Sequence, residues 1–486
     1  MRPWFLAFLS ACLAACGTGT DDGIIDVAFI AEPEDLQTEG VRLSNAGQHL
    51  RAALSPGLVR IDPRGAVVPG VAERWIVTDD GASYIFRINE FDLSDGTRLT
   101  AQVVRDALQR RLRQLDGTTL GFDLAKIRDI RAMTGRVIEI RLTSPMPDFL
   151  QLLAQPELGI GFGDGEPGLM TLAETGDVLT LRPLPPERRG LPEQPGWENI
   201  VREVRVRAAD AERATEGFSQ GDFDLVLGGR LANLPLANTG PLSRGNVRLD
   251  AAIGLLGLDV RNPRGFLAAS ANREALAMAI DRADLMAPFN IGGWLASTRI
   301  VPVSSSGAPE PLEERWAGLS LEQRRNEARQ RVARWRSESG EEPQLAIHLP
   351  PGPGSDLLFE GLVDDFAAIG VSAIRVEALS AADLALRDRV ARYASPRWFL
   401  NQFNCGIRQM QCSEDADYLV SLALDARDGA EEASYLQEAE NTLLATNLYI
   451  PFGAPIRWSL VRADIDAFSE NPWNIHPLFP LSRAPI

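Results

Sequence analysis

The chain has 486 residues, 45% hydrophobic and 24% charged; this composition is typical of a globular protein, and the length is too great for one hydrophobic core. Its formal net charge of −17 at pH 7 argues against nucleic acid as a partner, because binding phosphates requires clustered positive charge. We therefore expect two or three domains that bind something other than DNA or RNA.

The first sixteen residues have the pattern of a secretory signal. Met1-Arg2-Pro3 gives a short positive start, the apolar run 4–15 is too short to span a bilayer, and small residues precede Cys16. Such an ending is similar to a bacterial lipobox, in which the Cys is acylated after cleavage. We predict a signal peptide at 1–15, a lipid-anchored tether at 16–23 and a periplasmic location at the inner or outer membrane. The alternative is an ordinary signal peptide in which Cys16 is incidental.

The first half of the chain mixes short strands, turns and helices. A buried strand is predicted over 24–30, a helix over 48–54, and strands and hairpins between 57 and 90. Thr100 is a predicted N-cap because an apolar helical face follows it. A strand at 136–142 and a helix at 147–154 precede a Gly- and Pro-rich region, 156–200, which we interpret as a crossing between domains.

The second half alternates strands and helices, which indicates α/β lobes. No apolar run after Cys16 is long enough for a transmembrane helix. The predicted elements are strands at 201–207 and 224–228 around a helix at 209–219, a strand at 254–260, helices at 271–287 and 320–336, a strand–helix–strand unit at 344–349, 357–369 and 372–376, helices at 414–425 and 431–446, and a strand at 455–461.

Two cysteines remain after Cys12 and Cys16 are assigned to the signal. Because the compartment is oxidising, Cys405 and Cys412 are predicted to form a disulfide, which closes a short loop and contributes about 2–3 kcal/mol. A zinc site is the alternative and would need two more ligands. The three histidines are widely scattered, at His49, His348 and His476. We therefore expect no metal.

Several different motifs follow one another along the chain in a characteristic order. The block 58–101 contains Val68-Pro69-Gly70-Val71-Ala72-Glu73-Arg74-Trp75 and Leu93-Ser94-Asp95-Gly96-Thr97. Later come Gly221-Asp222-Phe223-Asp224, Arg273-Glu274-Ala275-Leu276 with Ala279-Ile280-Asp281-Arg282, and Tyr449-Ile450-Pro451. Together they resemble the extracellular solute-binding proteins, family 5, of peptide and nickel ABC transporters (the oligopeptide- and dipeptide-binding type).

The resemblance implies an α/β, two-lobed periplasmic-binding-protein fold (class II, Venus-flytrap) with an extra α/β subdomain in the first lobe. Ligand would be trapped between the lobes, which close by hinge motion. On this basis lobe I is expected to comprise 24–60, 180–260 and 462–486, its subdomain 61–179, and lobe II 261–461.

The resemblance also suggests where this chain departs from peptide binders. Those proteins carry Trp-x-x-Asp shortly before an acid–Pro pair, and the Asp pairs with the peptide's free amino terminus. Anchored on Pro396, the Trp position holds Arg389, the Asp position holds Arg392, and the acid position holds Ser395. A free ammonium would meet a cation there, whereas a guanidinium binds carboxylate or phosphate through paired hydrogen bonds.

We therefore predict an anionic or amine-blocked ligand. The predicted ligand-binding residues are Glu32 at the end of the first strand, with Arg389, Arg392, Tyr393 and Trp398. Arg392→Asp is expected to abolish binding. The alternative is a shifted register that leaves Arg392 on the surface. Nickel is disfavoured because histidine is scarce.

No motif for catalysis is present: the sequence lacks G-x-S-x-G, H-E-x-x-H and a P-loop. Residues 163–168 have the spacing of a dinucleotide loop, but Pro167 disfavours a helix opening there. We expect a monomeric, non-catalytic protein without a cofactor, which delivers solute to separate permease and ATPase subunits of an ABC importer. A sensor or interaction lipoprotein of the same fold, and less readily a secreted hydrolase, are the alternatives.

Overall fold

The computed structural model describes residues 23–90, 98–160, 168–237, 245–302, 314, 316–407 and 412–483. The predicted signal peptide at 1–15, Cys16 and nearly all of the tether lie outside these residues, as does most of the glycine-rich loop at 163–168. In the described ranges, no helix combines the length and apolar character that crossing a bilayer requires.

A seven-stranded sheet is built around the apolar strand Ile24–Ile30, which pairs in parallel with a neighbour on each side. Both faces are covered, by clusters that include Leu50 on one face and Phe218 with Trp458 on the other. Burial on both faces explains why this strand reads as an apolar run rather than an alternating one. The spatial order is Val247–Asp250, Arg457–Val461, Leu225–Arg230, Ile24–Ile30, Glu203–Ala209, Val178–Pro183 and Met170–Thr175.

A second, five-stranded sheet is centred on Leu384–Val390 and Gly254–Val260, and all seven residues of the latter strand are buried. Its hydrophobic cluster includes side chains of the helices Ser270–Ala279 and Pro353–Ala367. The spatial order is Ser372–Arg375, Gln344–His348, Leu384–Val390, Gly254–Val260 and Tyr449–Gly453.

The smaller four-stranded antiparallel sheet has the order Ala72–Val77, Ser83–Ile88, Val137–Leu142 and Ile127–Ala132. A hairpin, Val59–Ile61 with Val67–Pro69, precedes it. The helix Ala101–Gln114 packs against it and begins as predicted, because the Thr100 side chain accepts a hydrogen bond from the Val103 amide. We call residues 58–160 the subdomain.

The described helices connect and cover these three sheets. They are Asn45–Leu54, Ala101–Gln114, Thr119–Asp123, Phe149–Leu153, Ala211–Gln220, Ser270–Ala279, Arg282–Met286, Leu321–Ser339, Pro353–Ala367, Pro396–Asn401, Glu414–Leu424, Gly429–Thr446 and Leu478–Leu481. Three of them are Pro396–Asn401, Glu414–Leu424 and Gly429–Thr446, which we call with their connections the helical segment 391–446. This segment shares one hydrophobic cluster with the subdomain. That cluster joins Phe149 of the subdomain to Trp398 and Leu436.

The chain passes twice between the seven- and five-stranded sheets, at 251–253 and at 454–456. We call the seven-stranded sheet with its helices lobe I and the five-stranded sheet with its helices lobe II. Two short crossings allow the lobes to rotate about a common hinge. Strand membership corrects the expected boundaries: Gly254–Val260 lies in lobe II rather than I, and Arg457–Val461 lies in lobe I rather than II.

Two local predictions are also wrong. The region 156–200 is not only a crossing, because it contains the hairpin Met170–Thr175 and Val178–Pro183, closed by Gly176 at a φ of +63°. The predicted helix 271–287 is interrupted near Asp281. The Asp281 side chain accepts hydrogen bonds from the amides of Ala283 and Asp284, so it caps a new short helix.

Candidate functional site

A cavity of about 340 Å³ lies between the lobes, near the second crossing. Lobe I contributes the start of the helix Asn45–Leu54, the end of the strand Leu225–Arg230 and Arg457. Lobe II and the helical segment contribute Asp388 to Arg392, Trp398 and Gln402. The remaining lining residues are Leu43, Ser44, Thr119, Gln155, Trp473, Asn474 and Ile475.

Lobe I presents its cations to the cavity through a local irregularity in its sheet. The strand Leu225–Arg230 shifts register between Val226 and Gly229, and Arg230 then lies directly opposite Arg457. Gly228 has a φ of +86°, and a Cβ there would lie 3.2 Å from the Ile30 carbonyl oxygen. Glycine therefore permits the bulge that sets the direction of the strand end.

Two of the four arginines that line the cavity are paired with acids. Arg457 Nη1 lies 2.6 Å from Asp388 Oδ1, and this ion pair joins lobe I to lobe II beside the crossing. Arg392 holds Glu157 with two bonds, Nη2 to Oε1 at 2.7 Å and Nη1 to Oε2 at 2.8 Å. Glu157 is only 1% exposed, so the charge of Arg392 is neutralised at the cavity wall.

The other two arginines, Arg230 and Arg389, have no such partner. Arg389 donates to Gln402 Oε1 at 3.4 Å, and no carboxylate among the described residues lies within 4 Å of its guanidinium. For Arg230, no side-chain hydrogen bond or ion pair is formed with any residue that the structure describes. The cavity therefore carries two positive charges in excess of its acids.

The electrostatics of these two groups agree with their positions. Burial, and next the charge of Arg457, lower the pKa of Arg230. Burial, and next the charges of Arg387 and Arg392, lower the pKa of Arg389. Both remain cationic at neutral pH, because the ordinary pKa of arginine lies far above 7. Both side chains are exposed, and each has cationic neighbours, so an anion in the cavity would be attracted to them.

Three of the predicted site residues line this one cavity: Arg389, Arg392 and Trp398. Arg392 does so as half of an ion pair rather than as a free cation. An Arg392→Asp substitution would set a carboxylate against Glu157 with or without ligand, so Arg389 is the better position for a binding test.

Two predicted site residues do not line the cavity. Tyr393 is 0% exposed, because its ring lies in the cluster shared with the subdomain and its hydroxyl donates to Asp123 Oδ1 at 3.0 Å. Glu32 is exposed and begins a short 3₁₀ helix, where its amide donates to Asp35 Oδ2 at 3.2 Å. Neither side chain therefore lies where it could contact a ligand in this cavity.

The sequence reasoning missed Arg230 and Arg457. One available signal was a charged residue at the end of the predicted strand 224–228, where side chains often face a cleft. Nothing local indicated that Arg457 would be paired and Arg230 left without an acid, because Asp388 lies 69 residues from Arg457.

The predicted disulfide between Cys405 and Cys412 is confirmed, with a Cα–Cα distance of 5.1 Å. The Cys405 amide donates to Asp417 Oδ2 at 2.7 Å, which ties the loop to the following helix. Over the part of the chain that the structure describes, no three His, Cys, Asp or Glu side chains are grouped so that they could hold a metal ion.

The chain matches one protein-family description, "Bacterial extracellular solute-binding proteins, family 5 Middle", over residues 66–173. It is 30% identical over 146 residues to the probable deoxycholate-binding periplasmic protein YgiS of Escherichia coli, which covers 26% of this chain and 27% of that one. It is 24% identical over 328 residues to the periplasmic oligopeptide-binding protein OppA of Salmonella typhimurium, which covers 61% and 59%. Each match thus spans less than two thirds of the relative.

Among solved structures, the Haemophilus influenzae OppA complex with the peptide RPPGFSPFR superposes with a TM-score of 0.77 at 17% identity, and covers 95% of this chain and 98% of that chain. The fold is that of the two-lobed periplasmic binding proteins, as predicted. The family description that matches residues 66–173 agrees with the resemblance drawn from the motifs.

Proposed function

We propose that this protein is the lipid-anchored, periplasmic solute-binding component of an ABC importer, and that it captures a small anionic or amine-blocked solute between its lobes without changing it chemically. The observation that carries the proposal is the cavity between the lobes, in which Arg230 and Arg389 have no acidic partner. A volume of about 340 Å³ lies in the range of small-molecule sites, roughly 300–1,000 Å³.

The charge of the cavity favours this ligand over an ordinary peptide. A free amino terminus near Arg389 would add a third uncompensated cation to a partly desolvated site, which costs affinity. An amine-blocked or anionic solute avoids that repulsion. One relative is named as deoxycholate-binding and another as oligopeptide-binding, so ligands of different chemistry occur among proteins that resemble this chain.

The anchor is compatible with the place where the chain leaves lobe I. The carbonyl of Gly23 accepts a hydrogen bond from the Glu203 amide at the end of the central strands. Cys16 precedes Gly23 by seven residues, a segment that can span at most about 25 Å. Acylation at Cys16 would therefore hold lobe I close to a membrane, where a permease and its ATPase could receive the solute.

The first experiment is native mass spectrometry of a soluble version that starts after Cys16, followed by identification of any co-purified molecule after denaturation. We expect an anionic or amine-blocked solute in one-to-one complex. A co-purified peptide with a free amino terminus would contradict the ligand class while leaving solute capture intact.

The importer role is tested separately with the full chain. Cys16→Ala should move the protein out of the membrane fraction, and liganded protein should stimulate ATP hydrolysis by the permease and ATPase complex in proteoliposomes. A protein that purifies empty and stimulates no ATPase would favour the alternative of a sensor or interaction lipoprotein with the same fold.

A further inference from the structure

The two arginines without acidic partners belong to opposite lobes. Arg230 ends the lobe I strand Leu225–Arg230, whereas Arg389 lies in the lobe II strand Leu384–Val390. The only direct chain connections between these sheets within the described strands are the short crossings at 251–253 and 454–456. Hinge rotation therefore changes the separation of the two guanidinium groups.

We propose that the ligand carries a compact anionic group, a carboxylate or a phosphate, which bridges Arg230 and Arg389 and thereby holds the two lobes closed. This inference rests on the proposed function and names the residues and the chemical group on which capture depends.

The contrast within the cavity is the first support. Arg457 and Arg392 already have buried acids, Asp388 and Glu157, at distances of 2.6 and 2.7 Å. A ligand anion at either place would compete with a bond that the protein already makes. Among the described residues, the Arg389 side chain makes one hydrogen bond, the long one to Gln402, so its donors remain largely available.

The second support is the electrostatic cost of the closed, empty state. Burial, next the charges of Arg387 and Arg392, and last that of Arg230 lower the pKa of Arg389, so Arg230 acts on it as a like charge from the opposite lobe. Bringing two like charges together across a cleft opposes closure, and an anion placed between them reverses the sign of that interaction. The ligand thus has contacts in the closed state that the open state lacks, which is what a ligand-driven closure requires.

The test uses the soluble protein stripped of ligand by unfolding and refolding, with sodium succinate and sodium phosphate as probes at constant ionic strength. Thermal unfolding and the radius of gyration from small-angle X-ray scattering are measured for wild type, Arg230→Gln, Arg389→Gln and the double variant. Arg334→Gln serves as the matched control, because Arg334 is exposed on the helix Leu321–Ser339 and does not line the cavity.

Two opposite effects are expected. Each single substitution raises the melting temperature of the empty protein, because it removes a repulsion, and raises the apparent Kd of the bound anion roughly 10- to 100-fold. The anion compacts the wild type and the Arg334→Gln control but not the double variant. Stronger binding of succinate than phosphate identifies a carboxylate ligand, and the reverse identifies a phosphate.

Equal responses of the wild type and the double variant to both anions overturn the inference, as does a melting temperature that falls in every empty variant. A co-purified solute that the double variant retains at full occupancy also overturns it, yet leaves solute capture standing. Failure of the proposed function is distinguishable, since the wild type would then retain no solute and gain no stability from either anion.

Discussion

The contact between the subdomain and the helical segment 391–446 buries charged groups from distant parts of the chain, whereas the cavity leaves charged side chains exposed. In the contact, Lys126 Nζ lies 2.8 Å from Glu432 Oε1, and Asp123 accepts hydrogen bonds from Tyr393 and Asn401. In the cavity, two arginines have no acid. The buried charges of the contact have partners within the chain, whereas the two exposed arginines of the cavity are available to a ligand.

The largest expected effect comes from a substitution that breaks the contact and leaves the cavity unchanged. Lys126 is 2% exposed, and Glu432→Ala leaves its ammonium without a counter-charge. We expect a loss of about 3–5 kcal/mol in the free energy of unfolding, measured by urea denaturation, because an uncompensated buried charge is far more costly than an absent pair.

Two controls interpret that loss. The double variant Lys126→Met/Glu432→Leu should recover most of it, because an apolar pair of similar size needs no counter-charge. Glu431→Ala, on the same helical turn, removes the partner of the exposed Arg427 and should change little. If the double variant is no more stable than Glu432→Ala, packing rather than charge accounts for the effect.

The chain offers a direct probe of the same contact, because Lys126 is its only lysine. An amine-reactive reagent therefore reports, apart from the terminal amine, how often this interface opens. Glu432→Ala should speed the labelling of Lys126 by about 100-fold if it costs roughly 3 kcal/mol. If a ligand in the cavity slows the labelling, then opening of the two lobes also separates the subdomain from the helical segment.

The comparison also explains what the sequence could predict. The strand Gly254–Val260 and the helix after Thr100 begin where predicted, because strand patterns and caps are local. The hairpin at 170–183 was missed, since it is short, exposed at many positions and lies at a sheet edge. The boundaries of the lobes were misplaced because sheet membership depends on pairing with strands far along the chain.

The candidate site was predicted only in part, for a similar reason. The charge reversal at Arg389 and Arg392 was visible once the family motif was aligned. That Arg392 is neutralised depends on Glu157, 235 residues away, and that Tyr393 is buried depends on Asp123, 270 residues away. Neither partner carries a local signal, so the sequence identified a segment that lines the cavity but not which of its charges remain available.

Asp123→Asn removes one charge from the contact without changing the shape of the side chain. Burial raises the pKa of Asp123 to about 6, against the opposing hydrogen bonds from Asn401 and Tyr393. Since the folded pKa exceeds the unfolded one, stability is fully present below about pH 4 and is lost as pH rises through 6. Asp123→Asn should therefore match the wild type near pH 4 and exceed it by about 3 kcal/mol at pH 8.

The measurement is urea denaturation of both proteins across that pH range, and the difference between them is the quantity of interest. Burial also raises the pKa of Asp365 to about 6, so the wild-type profile alone would mix two carboxyl groups. A variant that is less stable at pH 8 would mean that the charge on Asp123 is needed for its bonds to Tyr393 and Asn401.

The smallest expected effect concerns the disulfide at the edge of the contact. Cys405 and Cys412 close the loop that carries Gly406, where an added Cβ would lie 3.3 Å from the Phe122 ring of the subdomain. Cys405→Ser/Cys412→Ser should lower the free energy of unfolding by about 2 kcal/mol, because removing the disulfide raises the conformational entropy of the loop mainly in the unfolded chain. The same variant should leave succinate and phosphate binding unchanged, since neither cysteine lines the cavity. Weakened anion binding would instead mean that the contact and the cavity form one cooperative unit, and that closure at one depends on order at the other.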